Sequence, residues 1–436
     1  MEKYTTILIV LGAMILLTPL AQRIKIASPI LLIIVGIAIG FVPGMPTLEI
    51  EPEIIFLIFL PPLLYEAAFN IPFRDFKEHF GTISSMAFGL VFITTGCIAV
   101  AAHYLIPEMT WPLAFVLGAI LAATDAVAAI SITKNLELSH KTKIILEGES
   151  LINDASALVA YRFALSAVAG VAFIWWKATI TFILLLLGGS VVGLASGLIM
   201  ASALRAIKDH RLAVLSLMLL SPFVTYLIAE HFNFSGVIAV VILGIVVSYF
   251  SRKKFQEAVK EQSSTLWEVI VFLLNGFIFI MLGLEVPIVI KSIDSDMIWP
   301  YTGLAFLLTI IAIVVRTVRV FMKRRSLQLA YRHSAKQKGT GRVFPENLLL
   351  TVQECLVISW SGMRGIVSLA IAIALPANLE NGQPFPLRSE IIFITTLVIL
   401  FTVVGQGLVL PKLIQKANDK ASDRNVKPIR QEKKDK

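Results

Sequence analysis

The heptapeptide GESLIND, residues 148–154, places two carboxylates, an amide and a hydroxyl inside an apolar segment that runs from about residue 143 to 168. Ionisable side chains at such a depth are costly and usually have a function. On a helix, Glu149 and Asn153 form one stripe, and Ser150 and Asp154 form a second stripe about 100° away. We therefore expect one helix that presents polar groups to two neighbours. The alternative is an acidic pair that is merely satisfied by hydrogen bonds in the core.

The composition predicts an all-α polytopic membrane protein. The chain has 436 residues, of which 57% are hydrophobic and 15% are charged, and the mean hydropathy is +0.83. These values exclude a set of soluble domains. About 13 transmembrane helices are expected, and the second and ninth fall below the ~20 residues of a straight span. Their approximate bounds are 5–20, 27–41, 52–70, 80–105, 112–133, 143–169, 175–203, 212–230, 235–249, 263–283, 298–322, 350–375 and 388–411.

The basic residues predict the orientation of these spans. With the N-terminus outside, 30 of the 38 basic residues fall in inner loops or in a basic cytoplasmic tail at 412–436. Cytoplasmic loops carry such an excess of Lys and Arg, so the prediction is a multi-pass protein of the cell membrane with its C-terminus inside. The net charge of +9 then requires no nucleic-acid partner, and the tail is expected to meet membrane lipid.

Nothing in the sequence calls for a cofactor or a resident metal. Cys97 and Cys355 lie far apart in apolar segments, which argues against a disulfide framework and a metal site. No glycine loop of the Walker type is present, so transport driven directly by ATP is not expected. The prediction is a protein that is not an enzyme and has no cofactor.

Three other spans contain buried charge. Asp125 follows Thr124 among small residues, Glu66 follows the proline pair at 61–62, and Arg316 lies in the eleventh span. The prolines remove backbone donors and are expected to bend the helix before Glu66.

The depths of these charges, counted from the inner helix ends, are compatible with one shared polar site. Glu149 and Arg316 come out about 9 Å deep, Asp125 about 12 Å and Asp154 about 16 Å. Glu66 comes out shallower, at about 6 Å.

A lone arginine is unfavourable in hydrocarbon, and Arg316 therefore needs a partner. Glu149 and Asn153 offer one stripe of polar atoms that would make a hydrogen-bonded ion pair and brace two helices. The alternative for Arg316 is snorkelling to the inner surface.

The spans divide into two six-helix repeats, one to six and eight to thirteen, with the seventh as a linker. Such repeats would have inverted topology, as in many secondary transporters. The fifth span of the second repeat contains a polar, glycine-flanked break at 359–365. Two interrupted helices that cross at mid-membrane would bring their ends together, and Arg364 would offset the free carbonyls. The alternative is a helix kink with an outward arginine.

At these residues the chain resembles the monovalent cation/proton antiporters of the NhaP and NHE type. The resemblance covers nearly the whole chain and depends on a specific set of motifs, which are Pro61-Pro62 with a following acid, Thr124-Asp125, Gly-Glu-Ser-x-x-Asn-Asp at 148–154, Arg316 and Gly362-Met363-Arg364-Gly365. It implies a homodimer whose transmembrane domain covers residues 1–411. Each protomer would have a mobile core (about 80–169 and 298–411) with the crossed broken helices, and a dimerisation scaffold (about 1–70 and 175–283).

The resemblance also implies the role of each site residue. Asp154 is the expected carboxylate for cation and proton, and Asp125, Ser150, the Thr124 carbonyl and Glu66 would complete the coordination. The expected structural network consists of Glu149, Asn153 and Arg316. The Asn153-Asp154 pair is associated with electroneutral family members. Ala126 stands where the family often has proline, and the unwinding expected after Asp125 would be less rigid.

The chemistry of the residues agrees with exchange of Na⁺ (or Li⁺) for H⁺. Carboxylates, a hydroxyl and a carbonyl are hard oxygen donors, and two acids that repel each other keep a proton until a cation replaces it. A K⁺/H⁺ antiporter of the same fold is the nearest alternative. A cation channel or an intramembrane aspartyl protease is less favoured, because broken helices suit alternating access and neither acid lies in a Gly-x-Gly-Asp context.

Overall fold

The structure, a computed structural model, is predominantly helical. It describes residues 2–23, 27–42, 52–133, 138–170, 175–207, 210–254, 257–336, 345–379 and 382–425. In chain order the helices are α1 Glu2–Arg23, α2 Ser28–Gly40, α3 Pro52–Asn70, α4 Phe73–Ser84, α5 Val91–Leu105, α6 Trp111–Ala122, α7 Ala126–Ile132, α8 His140–Val168, α9 Trp175–Ala206, α10 Arg211–His231, α11 Gly236–Lys254, α12 Glu257–Lys291, α13 Ile298–Lys336, α14 Val352–Trp360, α15 Ile366–Ile373, α16 Arg388–Phe401 and α17 Gly407–Asn425. Turns of π-helix at Ser85–Leu90 and Thr402–Gln406 join α4 to α5 and α16 to α17.

The prediction of an all-α polytopic membrane protein is confirmed. Each predicted apolar segment coincides with one helix or with two helices that follow each other directly. Among the described residues, eight helical stretches are long and apolar enough to cross a membrane, and four shorter apolar helices accompany them. The exact number of crossings and the inverted orientation of the two halves stay predictions.

Two of the segments are broken, and each is the fifth of its six-segment half. The first break separates α6 from α7 at residues 123–125, and the second separates α14 from α15 at residues 361–365. The two breaks touch: the amide of Asp125 donates to the Met363 carbonyl over 2.7 Å, and the Ser368 hydroxyl donates to the Ile120 carbonyl over 2.7 Å. The ends of four short helices therefore meet in the interior.

The packing of helices around the breaks follows two groups. In one, α5, α6 and α8 pack on one another, and α13 packs on α14 and α16. In the other, α2 lies along α12, and α9 lies along α11, which also packs on α3. A Cβ on Gly193 would overlap the Ala239 carbonyl, which explains the close approach of α9 to α11. The assignment of these groups to a mobile core and a dimerisation scaffold stays a prediction.

Two helices run more than ten residues past the predicted ends of their apolar spans. Helix α13 runs to Lys336 and α17 to Asn425, although the sequence pattern ends those spans at 322 and 411. Lysine, arginine and glutamine are good helix formers, so the helices extend after the apolar residues stop. The first part of the predicted tail, 412–425, is thus helical, and residues 426–436 lie outside the described part of the chain.

Candidate functional site

Helix α8 carries the GESLIND motif and begins with a side-chain cap. The Ser139 hydroxyl accepts the Thr142 amide over 3.2 Å, as serine commonly does at a helix start. The helix then continues without a break for 29 residues. Its two polar stripes therefore keep their helical spacing, and residues of both stripes reach Thr124 at the first break.

Arg316 of α13 pairs with Glu149 of the first stripe, as predicted. The predicted contact of Arg316 with Asn153 is wrong, because the Asn153 amide donates to Thr124 instead. Both the arginine and Glu149 are 2% exposed, and the guanidinium donates to both carboxylate oxygens, with the Nη2–Oε2 distance at 2.8 Å. The Nε of Arg316 also donates to the Ile358 carbonyl in α14 over 2.9 Å. A Cβ on Gly362 would overlap this arginine side chain. The bidentate pair thus connects α8, α13 and α14 next to the second break, and the absence of a side chain at Gly362 leaves room for it.

The same stripe satisfies the first break through Thr124. The Asn153 amide donates to the Thr124 carbonyl over 3.0 Å and to its hydroxyl over 2.6 Å. The Thr124 hydroxyl in turn donates to Glu149 over 3.3 Å. Ser150 also donates to the Thr124 carbonyl, over 3.2 Å. Both lone pairs of that carbonyl are therefore engaged by α8 side chains.

Asp125 forms the cap of the short helix after the break. Its backbone is extended, and its carboxylate accepts the amides of Val127 at 2.8 Å and Ala128 at 3.3 Å. Aspartate is among the preferred residues at this position. The expected unwinding after Asp125 is thus wrong in its location: residues 123–125 are unwound, and the helix resumes at Ala126 because the carboxylate caps it.

Arg364 occupies the second break and is 1% exposed. Its Nε donates to the Leu121 carbonyl in the last turn of α6 over 2.9 Å, and its Nη1 donates to the Gly362 carbonyl over 2.5 Å. The Thr402 hydroxyl accepts its amide over 3.1 Å. A Cβ on Gly365 would overlap the Asp125 carboxylate. The Arg364 guanidinium thus lies against carbonyls at both breaks, where helix ends carry partial negative charge.

The second stripe of α8 faces this junction. Asp154 is 7% exposed, and Asp125 is the charged group that acts on it among the described residues. Among the described residues, burial and the charge of Asp125 act on the Asp154 carboxylate, and no hydrogen bond to it is found. Ser150, one turn before Asp154, accepts the Ala126 amide over 3.3 Å. Two acids and a hydroxyl therefore lie together without a basic partner at Asp154.

Glu66 lies in a different environment from the other predicted ligands. Asn70 donates to it over 2.5 Å, and the charges that act on it are those of Glu147, Lys143 and Glu268. These residues precede the GESLIND stripes on α8 or lie on α12. The structure thus gives Glu66 no contact with Asp125 or Asp154, and its coordination of the cation stays a prediction.

Two contacts of α8 could not be predicted from the sequence pattern. Arg162, deep in the apolar segment, pairs with Glu230 of α10 at 3.0 Å, although the two are far apart in the chain. The hydrogen bond from Ala126 to Ser150 involves a backbone amide that no side-chain motif indicates. Both depend on which helices become neighbours.

The chemistry of the junction suits a hard monovalent cation and a proton. The oxygens of Asp154, Asp125 and Ser150 are hard donors, and protonation of a carboxylate removes the same charge that a bound cation would balance. Binding and release of ions at such an arrangement would need no covalent step.

Comparison with known proteins identifies the family. The model of the transmembrane sodium/hydrogen exchanger family matches residues 9–416. The chain is 31% identical to the Na⁺/H⁺ antiporter NhaH of Halobacillus dabanensis, covering 95% of this chain and 98% of that protein. It is 32% identical to a sodium, potassium, lithium and rubidium/H⁺ antiporter of Bacillus pumilus, covering 95% of this chain and 62% of that protein.

The fold is shared with a solved membrane protein. The sodium proton antiporter MjNhaP1 of Methanocaldococcus jannaschii superposes with a TM-score of 0.69 at 22% identity, covering 95% of this chain and 99% of that one. The family match spans nearly all of the described helices and includes both breaks and the GESLIND motif. The chain therefore belongs to the transmembrane sodium/hydrogen exchanger family.

Proposed function

We propose that this protein is a secondary active antiporter that exchanges Na⁺, or Li⁺, for H⁺ across the cell membrane. The observation that carries the proposal is the Asp154 carboxylate, which is buried beside Asp125 and has no basic or hydrogen-bonding partner among the described residues. An uncompensated carboxylate at this depth is unfavourable unless it binds a cation or a proton. Membership of the sodium/hydrogen exchanger family supports the same function.

Competition for one site would couple the two ions. A proton on Asp154 removes its charge and its best ligand atoms, and a bound cation disfavours protonation. Asp125 and Ser150 would add oxygen ligands. The Thr124 carbonyl would join them only after Ser150 or Asn153 releases it, since both donate to it. Because only an occupied site would be neutral enough to cross the membrane, each ion would drive the other in the opposite direction.

Graded exposure along α8 supports access from one side. On the stripe that contains Asp154, Lys143 is exposed, Glu147 and Ser150 are half-buried, and Asp154 is buried. The next residues on this stripe after Asp154, Ala157 and Tyr161, are buried. This gradient is the pattern of a site that opens toward the beginning of α8 and is closed at the other end. Alternating access would reverse it by moving the core helices against the scaffold helices.

The finer features of the proposal come from the charge pattern and the family. We place the N-terminus outside and the C-terminus in the cytoplasm, with the basic tail near anionic lipid, because basic residues concentrate on the inner side. We also propose a homodimer. Exchange is expected to be electroneutral, with one proton displaced per cation, because Asn153 rather than a second acid precedes Asp154.

Purified protein in proteoliposomes would test the proposal directly. A proton gradient is imposed, and its dissipation is measured after addition of Na⁺, Li⁺ or K⁺, with Asp125→Asn as the inactive control. Dissipation that requires a cation and both acids is the expected result. A membrane potential, applied at constant proton gradient, should leave the rate unchanged. Strong stimulation by the potential would contradict electroneutrality, and uncoupled ion flux would indicate a channel.

A K⁺/H⁺ antiporter is the second candidate. The Bacillus pumilus relative carries potassium and rubidium in its name together with sodium and lithium, so members of this family differ in their cations. The same proteoliposome assay distinguishes the candidates through the apparent KM for each cation. A KM for K⁺ well below that for Na⁺ would replace the sodium assignment and leave the antiport mechanism intact.

A further inference from the structure

Ser150 is held from outside its own helix at two points. Its hydroxyl oxygen accepts the Ala126 amide over 3.3 Å, and its proton is donated to the Thr124 carbonyl over 3.2 Å. A hydroxyl has one proton and two lone pairs. One lone pair therefore remains for a further interaction on the stripe that Ser150 shares with Asp154.

The other two serines of α8 behave differently. Ser156 donates to the Ile152 carbonyl over 3.2 Å, and Ser166 donates to the Arg162 carbonyl over 2.9 Å. Both bonds run to the carbonyl four residues earlier, which is the usual alternative for a serine within a helix. Ser150 is thus drawn away from this local bond by contacts across the first break.

Ala126 can provide this contact because its amide is not used elsewhere in the cap. The Asp125 carboxylate accepts the next two amides, those of Val127 and Ala128. The Ala126 amide instead points at Ser150. Of the amides that follow the break, two therefore donate to the Asp125 carboxylate and one donates to the Ser150 hydroxyl.

We propose that the backbone N–H of Ala126 is a positioning group that sets the apparent cation affinity by fixing the hydroxyl of Ser150. Without this donor the hydroxyl turns back toward its own helix, and the oxygen that faces the carboxylates is lost for part of the time. The inference rests on the proposed cation site and adds to it a backbone group.

The experiment removes the donor and little else. Lactic acid, introduced at position 126 by nonsense suppression, replaces the N–H with an oxygen and keeps the methyl group. A net hydrogen bond contributes about 0.5–1.5 kcal/mol, so the apparent KM for Na⁺ should rise about 2- to 10-fold at constant pH. The maximal rate should not change. Lactic acid at Ala160, in α8 beyond the site, is the control for loss of a backbone donor within a helix and should leave the KM unchanged.

A double-mutant cycle with Ser150→Ala tests the route of the effect. If the amide acts through the hydroxyl, the 126 ester raises the KM in the native background and has no further effect beside Ser150→Ala. An equal effect in both backgrounds, or an unchanged KM in the native background, would overturn the inference. The proposed function is judged separately, by exchange in the native protein and by the KM of Ser150→Ala alone.

Ala126→Pro provides a second variant if the ester protein does not fold. Residue 125 is extended, at φ −102° and ψ 107°, which suits a residue before proline. Proline is also well accepted at the first residue of a helix. The variant removes the same donor and should raise the KM in the same direction, again without effect beside Ser150→Ala. A lowered or unchanged KM would contradict the inference.

Discussion

Each of the two polar stripes of α8 contains one buried carboxylate, and the stripes differ in what balances the charge of that carboxylate. Glu149 is paired with Arg316, and Asn153 donates to Thr124. Asp154, on the other stripe, has a second acid as its charged neighbour. A buried carboxylate with a bidentate arginine is fixed in one charge state, whereas one without a counter-charge must gain a proton or a cation. One stripe therefore suits structure and the other suits transport.

The largest difference between the two stripes is expected when the acid of each is changed to its amide. Asp154→Asn removes a hard ligand and a titrating group, so exchange should fall to background while the protein keeps its thermal stability. Glu149→Gln, the matched control, leaves Arg316 buried without its counter-charge and should lower stability. The measurements are proteoliposome exchange and thermal unfolding in detergent. Native exchange rates in purified Asp154→Asn would remove the transport assignment of the second stripe.

The ion pair of Arg316 with Glu149 can also be tested by removing the arginine. Arg316→Ala leaves Glu149 buried without its partner, which should lower the free energy of unfolding by about 3–5 kcal/mol unless Glu149 takes up a proton. Adding Glu149→Gln removes the orphaned charge and should restore part of the loss. Thermal unfolding of the single and double variants gives the coupling energy. Purely additive effects would show that the pair contributes nothing as a pair.

Helical spacing in the amino-acid sequence predicts much of this site. The separation of Glu149 and Asn153 from Ser150 and Asp154 follows from 3.6 residues per turn, and the charged residues within apolar spans indicate the other participants. Membrane burial explains why the helices are predictable, since each span needs a long apolar segment. The roles of these residues in transport stay predictions.

Contacts that depend on helix neighbours cannot be predicted in this way. The Asp125 cap places the unwound residues at 123–125, because a carboxylate that accepts two amides lets the helix resume at once. Arg162 has no partner that the sequence pattern indicates, since Glu230 lies on another helix. Backbone donors such as Ala126 leave no trace in a side-chain pattern. Such details arise from packing, which periodicity does not encode.

Competition at the second stripe predicts a moderate and specific pH effect. At low pH protons occupy the carboxylates, so the apparent KM for the cation should rise as pH falls. At high pH the returning proton becomes scarce, and the rate profile should be bell-shaped. For one-to-one competition, a tenfold increase in cation should move the acid limb about one pH unit lower. Exchange is measured across a pH series at several cation concentrations.

An acid limb that stays fixed as the cation concentration rises would show that a different group gates the protein. Simple competition would also be contradicted if raising the cation concentration moved the acid limb of Asp154→Glu but not that of the native protein. Glu149→Gln is again informative: since Glu149 belongs to the paired stripe, any exchange that remains should keep the native dependence of the acid limb on cation.

The smallest effect is expected at the other end of α8, where a second Arg–Glu pair is less buried. The side chains of Arg162 and Glu230 are 45% and 26% exposed, whereas those of the Arg316 pair are 2% exposed. Exposed pairs contribute about 0–1 kcal/mol, so Arg162→Gln should change stability by no more than that and leave exchange intact. Glu230→Ala should have a larger effect, because Glu230 also accepts the Gly236 amide over 3.1 Å. Thermal unfolding of both variants at low and high salt would check these two expectations. A loss for Arg162→Gln as large as that for Arg316→Ala would mean that the degree of burial does not separate the two pairs.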